Sequence, residues 1–163
     1  MTDIQHFAEL IKDNKFVMLT SLDTIDGSMH SRPMTLQQME FDGDLWFLAG
    51  KSSEMVKQIR NNSMVNISSS NLKDFSFVSA RGHAQVVKDS KKEKELWNPT
   101  YKAWFPEGLQ DPDLCLIKVS VEAADYWESP SSKIIRLVGF AKAILGGNPQ
   151  NTALGKQGHL SIT

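Results

Sequence analysis

Arg32 and the run Lys51-Ser52-Ser53 are the residues of this chain whose types and setting best suit ligand chemistry. Leu45-Trp46-Phe47-Leu48 is a short apolar run of strand type. It passes through Ala49-Gly50-Lys51 into Ser52-Ser53 and then into Glu54-Met55-Val56-Lys57-Gln58-Ile59, which has helical spacing. A strand that breaks at a glycine and reopens as a serine-started helix leaves backbone N–H groups free at the helix mouth. Those amides and the aligned peptide dipoles suit an anion, phosphate above all. Arg32 lies in an otherwise uncharged segment, Ser31-Arg32-Pro33-Met34, and its guanidinium suits the same charge. Together these residues predict a pocket for a phosphorylated small molecule with a large flat apolar body. Two plainer readings stay open: Arg32 as a solvent-exposed arginine on an edge strand marked by Pro33, and Ser52-Ser53 as no more than a helix cap.

Trp97, Trp104, Phe105, Tyr126 and Trp127 make up the aromatic-rich part. Trp97 and Phe105 read as core. Trp104 and Trp127, near proline or polar loop residues, read as candidates for stacking on a ring or for a subunit interface. His6, His30, His83 and His159 are scattered, without metal-ligand spacing. Asp111 and Asp113 flank Pro112, where turn chemistry accounts for them. The sequence argues for no Ser-His-Asp or Cys-His arrangement, no Rossmann glycine fingerprint and no P-loop. It offers a binding site without a catalytic acid, base or nucleophile. A cofactor such as a flavin, which carries its own reactive atoms, resolves that.

The bulk properties narrow the class. A length of 163 residues suits one domain over residues 1–163, with a core of ordinary size. A net charge of -1 argues against a general nucleic-acid binder, including a barrel that would hold single strands through aromatics. Cys115 stands alone, so it has no internal disulfide partner, and a reducing, cytoplasmic setting is expected. The start, Met1-Thr2-Asp3-Ile4-Gln5-His6, lacks the basic and apolar regions of a secretory signal, and no apolar stretch is long enough to span a bilayer.

Periodicity supplies the elements. Thr2 to Asn14 reads as an amphipathic helix and Phe16 to Leu22 as an interior strand. After a turn at Ile25-Asp26-Gly27-Ser28, Met29 to Met39 returns as its partner. A second turn leads to Leu45–Ala49, which predicts a three-strand meander, and a helix follows over Ser52–Asn61. Met64 to Ser70 and Phe75 to Lys88 are strands. The second of these has a face thinned at Ala80, Gly82 and Ala84, which permits close approach by another element. Lys91 to Phe105 is helical with a break at Asn98-Pro99, Leu114 to Ala123 is an alternating strand, and Lys133 to Leu145 is a last helix. Leu154 to Thr163 is polar and glycine-bearing. The fold class is mainly β with added helices: about six strands, mostly antiparallel, in a closed or split β-barrel.

At this point the chain resembles the general stress protein 26 family, FMN-binding split-barrel proteins related to pyridoxamine 5'-phosphate oxidase. The resemblance rests on Ser31-Arg32-Pro33-Met34, on Leu45-Trp46-Phe47-Leu48 followed by Ser52-Ser53, and on Glu95-Leu96-Trp97-Asn98-Pro99. It continues through Ala103-Trp104-Phe105-Pro106-Glu107-Gly108, Asp111-Pro112-Asp113 and Ala124-Asp125-Tyr126-Trp127-Glu128, and closes with Leu137-Val138-Gly139-Phe140-Ala141-Lys142-Ala143. It implies a homodimer with FMN at the subunit interface. Arg32, Pro33 and Met34 would lie along the flavin, with Arg32 toward the phosphate. Phe47 and Leu48 would meet the isoalloxazine ring through their backbone. Lys51, Ser52 and Ser53 would serve the phosphate, and Trp104 and Trp127 would come from the partner subunit. Met55 stands where relatives often carry a lysine, so this chain lacks one cation of that site. The resemblance leaves two activities open: a flavin-dependent oxidoreductase acting on a small molecule, or a non-catalytic protein that binds or sequesters flavin.

Overall fold

The computed structural model describes residues 1–37, 40–129 and 156–162. The chain opens with helix α1, Asp3–Ile11. Thr2 starts it through a capping box, its hydroxyl accepting from the Gln5 amide while the Gln5 side chain accepts from the Thr2 amide. The helix stops short of the expected Asn14, because the Asn14 side chain turns back to donate to the Leu10 carbonyl at 3.2 Å. Strands β1 (Phe16–Leu22), β2 (Met29–Thr35) and β3 (Asp44–Gly50) follow, then helix α2 (Glu54–Asn61) and strands β4 (Met64–Asn71) and β5 (Ser76–Val87). Helix α3 (Ser90–Leu96) breaks at Asn98-Pro99, as expected, into a 3-10 turn over Pro99–Ala103 and a second over Gly108–Gln110. Strand β6, Leu114–Glu128, runs past its expected end at Ala123 and carries Trp127 within it. A further strand, β7 (Lys156–Ser161), pairs with the end of β6. It lay hidden in the polar C-terminal segment because its pattern has a single buried side chain, Leu160. The expected helix from Lys133 to Leu145 lies outside the described residues.

Seven strands form one antiparallel sheet in the order β2-β1-β4-β5-β6-β3, with β7 on β6. This corrects the expected meander. β1 and β2 form the hairpin read from the turn, but β3 passes its neighbour in sequence and pairs with β6, from Asp44↔Ser120 to Gly50↔Leu114. β2 ends at Thr35, short of the expected Met39. β2 and β3 are therefore opposite edges of a curled sheet that does not close. Among the described residues one backbone bond links the segment after β2 to β3, Gln37 N–H to the Trp46 carbonyl at 3.4 Å. The architecture is a split β-barrel.

The core fills the concave side. Phe7, Leu19, Phe47, Val56, Ile117 and Val119 are fully enclosed, and α1 and α2 cover β5. The face of β5 thinned at Ala80, Gly82 and Ala84 is approached by the helices α2 and α1, and at Gly82 the strand also lies close to its sheet neighbour β6. Register slips between Arg81 and Gly82, leaving Glu122 as an extra residue opposite the slip. A Cβ on Gly82 would lie 2.1 Å from the Ser120 carbonyl oxygen. Gly82→Ala should thus destabilise the fold by about 2–3 kcal/mol, read as a lowered urea midpoint.

Cys115 is 2% exposed and donates through Sγ to the Ala49 carbonyl at 3.3 Å. Burial pushes its thiol up to about 11. It should stay unreactive toward a disulfide reagent at pH 8 until the chain unfolds. Its unfolded thiol loses a proton first, so this group's contribution to stability should fall as pH rises from about 9 toward 11.

Candidate functional site

The seam left between the two sheet edges is a cavity of about 690 Å³. One wall is β2, through Arg32, Pro33, Met34 and Thr35. The facing wall is the end of β3, through Leu48, Ala49 and Gly50, and the floor is the start of α2, through Ser53, Glu54 and Met55. Tyr101, Trp104 and Phe105, in and after the first 3-10 turn, close one side. Among the described residues, each strand bordering the seam has a row of backbone groups without a strand partner on that side, and Pro33 has no N–H to donate.

Arg32 is built into its wall. Its guanidinium donates to Ser21 Oγ at 2.6 Å and to Gln58 Oε1 at 3.2 Å. Ser21 in turn donates to Gln58 Oε1 at 2.6 Å, and Gln58 Nε2 reaches the Asp23 carboxylate at 3.5 Å. Ser21 and Gln58 are almost wholly buried, so the network ties β1, β2 and α2 together and fixes the guanidinium in one place. Arg32 sits on an edge strand, as the plainer reading had it, yet it is half-buried and engaged. Partial desolvation moves it below its ordinary value, and a guanidinium remains a cation.

The helix mouth divides its amides between two uses. Ser53 is the N-cap, its hydroxyl oxygen accepting from the Val56 amide at 3.3 Å. The amides of Glu54 and Met55, at the first helical positions, have no acceptor within the helix and border the cavity. Ser52 faces elsewhere: its amide donates to Asp113 Oδ1 at 2.8 Å and its hydroxyl to Asp113 Oδ2 at 3.1 Å. Lys51 donates its amide to the Asp113 carbonyl at 2.7 Å and its ammonium to the Pro112 carbonyl at 3.0 Å.

Of the residues singled out from sequence, Arg32, Pro33, Met34, Leu48, Ser53 and Trp104 line this cavity in a single chain. Trp104 is 73% exposed there. Phe47 points into the core and is fully enclosed. Trp127 lies in β6 rather than in a loop, on the outer sheet face opposite Phe77. Tyr101, Gln37 and Asp113 were not singled out as site residues. Tyr101 and Gln37 exchange hydrogen bonds at 3.0 and 3.3 Å beside the cavity. Asp113 carried a turn signal and a place in one motif of the resemblance, with no role attached, and its partner Ser52 is 61 residues away in sequence.

The histidines are partnered: His6 with Glu128, His83 with Glu122 and Ser63, His159 with Asp125, and His30 with Ser28. Asp23, Asp26 and His30 bring ligand-type atoms within 4.8 Å of one another at the β1–β2 turn. Hydrogen bonds within the turn account for that cluster, and those from Ser28 hold the Asp26 carboxyl below its ordinary range. Among the described residues no helix is long and apolar enough to cross a membrane.

Comparison with known proteins agrees with this architecture. Protein bli-3 of Neurospora crassa is 28% identical over 155 residues, which take in 90% of this chain and 74% of that protein. The structure of a general stress FMN/FAD binding protein from Xanthomonas citri is 30% identical, covers 79% of this chain and 90% of its own, and superposes with a TM-score of 0.67. That of a candidate general stress protein 26 from Jannaschia sp. CCS1 covers 99% of both chains with a TM-score of 0.77 at 23% identity, a likeness of fold. The family model described as pyridoxamine 5'-phosphate oxidase like matches residues 2–151. With nearly the whole chain matched and a split barrel whose seam forms a cavity, this protein belongs to the pyridoxamine 5'-phosphate oxidase-like family.

Proposed function

We propose that the seam cavity binds FMN and that the protein is a flavin-dependent oxidoreductase of the general stress type, acting on a small molecule. The observation that carries this reading is the composition of the seam cavity. It places a fixed guanidinium, two unpartnered helix amides and the Ser53 hydroxyl beside an apolar wall of Met34, Leu48, Met55 and Phe105. That set fits a phosphate at one end and a flat ring at the other. The Xanthomonas citri relative, a general stress FMN/FAD binding protein, supports the same ligand class. Met55 is 6% exposed and packed in the apolar core, so it brings no cation to the helix mouth it borders, and Arg32 carries more of the phosphate's charge. FMN, when bound, supplies hydride and electron transfer at its own ring. The chain's task is then to hold the phosphate, orient the ring between β2 and β3, and keep water from one side of it.

A second reading, flavin binding without catalysis, has its own support. The ionisable groups around the cavity are engaged: Glu54 with Lys57 at 2.6 Å, Asp113 with Ser52, and Tyr101 with Gln37. Turnover of photoreduced protein with added electron acceptors, above the rate of free FMN, separates the two readings.

The ligand reading also makes sense of the outer sheet face. Phe16, Met18, Phe77 and Trp127 are 67%, 39%, 41% and 46% exposed there, a large apolar patch for a lone chain. Phe16 and Pro33 border both this patch and the cavity, so a second copy on the patch would meet the open side of the flavin site. This supports a homodimer with flavin at the subunit interface. The lone, buried Cys115 supports a reducing cytoplasmic setting.

Purified protein should be yellow and release FMN on heating; a colourless protein that does not bind added FMN would refute the reading. Arg32→Ala should weaken FMN binding by about 2–3 kcal/mol, measured by fluorescence titration, while the Ser21 bond to Gln58 still joins β1 to α2 and the chain still melts cooperatively. An unchanged titration would put the phosphate elsewhere. For the dimer, light scattering should give twice the chain mass, and Phe77→Glu should yield monomers with weaker flavin retention. A wild-type monomer that keeps its flavin would remove the interface.

A further inference from the structure

The helix mouth read from sequence as a phosphate site already holds an anion of the chain's own. Both carboxylate oxygens of Asp113 accept from Ser52, Oδ1 from its amide at 2.8 Å and Oδ2 from its hydroxyl at 3.1 Å. Two bonds from Lys51 to the Asp113 and Pro112 carbonyls clasp the loop to the strand end. Gly50 is part of the same fit, since a Cβ there would lie 2.6 Å from Asp113 Oδ2. The Asp111 carboxylate accepts from the Asp113 amide at 3.0 Å and holds the loop's own turn. The position is thus specified from four directions, and Asp113 itself borders the cavity.

The charge inventory gives this position a consequence. Among the described residues lining the cavity, Arg32 is the one cation, against the carboxylates of Glu54 and Asp113. Glu54 is offset by its bond to Lys57. Lys51 lies beside Asp113 and offsets part of its charge, but its ammonium is directed to the Pro112 carbonyl rather than into the cavity. A phosphate brought to Arg32 and the amides of Glu54 and Met55 therefore meets a carboxylate fixed at the same mouth. Two donors that would otherwise serve the phosphate are already taken. Like charges so placed repel, less so as salt rises.

We propose that Asp113 is a specificity-determining residue: a built-in anion that weakens the cavity's hold on a phosphorylated ligand relative to its unphosphorylated counterpart. The inference rests on the flavin reading above. Asp113 narrows the preference for FMN over riboflavin, because the repulsion acts on the phosphate and leaves the ring contacts alone. Exchange of the bound flavin is correspondingly easier than with an unoccupied helix mouth.

The test is flavin titration of wild type, Asp113→Asn and Asp113→Ser. Both substitutions keep an acceptor for Ser52 and remove the charge. The expected result is FMN binding about tenfold tighter in both variants at low ionic strength, riboflavin binding unchanged, and an FMN gain that shrinks in high salt. FMN affinity that is unchanged or weaker, or riboflavin affinity that rises equally, would overturn the proposal. So would loss of cooperative melting in both variants, since Asp113 would then be a structural clasp. If wild type and variants bound neither flavin, the flavin reading itself would fail and this inference with it.

Discussion

The strand β3 does not pair with β2, and the rest of the site follows from that. Had the two joined as a meander, their backbone groups would satisfy each other and no gap would lie between them. Pairing β3 with β6 instead makes β2 and β3 opposite edges that face each other across a gap. An exposed sheet edge is ordinarily a liability, because its free N–H and C=O groups invite another chain. Here two edges face inward and border one cavity, whose floor is the first turn of α2. The core supports this arrangement from behind: Phe47 anchors β3 and Val56 anchors α2, both fully enclosed.

Polar groups then give the gap its chemical character. Ser21, Gln58 and Arg32 form a connected set in which each buried oxygen accepts a hydrogen bond, so the guanidinium is held before any ligand arrives. The opposite charge is set just as firmly, by Asp113 on Ser52. A cation and an anion on one small mouth make a balanced site rather than a strongly attractive one.

Much of this architecture was legible in the sequence, for local reasons. The β1–β2 hairpin announced itself through Asp26-Gly27, with Gly27 at φ +76°. The break of the second long helix announced itself through Asn98-Pro99, where the Asn98 side chain caps the following turn. The face of β5 thinned at Ala80, Gly82 and Ala84 pointed to a close approach, which the helices α2 and α1 make. The errors also share a cause. The meander, the end of β6 and the strand β7 depend on which edge a strand finds, and periodicity within one segment says nothing about its partner. Asp113 looked like a turn residue because its turn bond is local, whereas its contact with Ser52 spans 61 positions.

By itself the sequence determined the local preferences: which segments are strands or helices, which side chains face inward, and where a glycine or proline breaks an element. It also placed Arg32 on a strand and Ser53 at a helix start, since both follow from short-range spacing and capping chemistry. The tertiary structure alone decided that these two features share one cavity. It also decided that Ser52 is spent on Asp113, that Trp104 lines the same cavity, and that Trp127 lies on the outer sheet face. The physical reason is that hydrogen-bond donors and sheet edges are shared among distant segments. Which partner takes each one is settled only when the whole chain has packed.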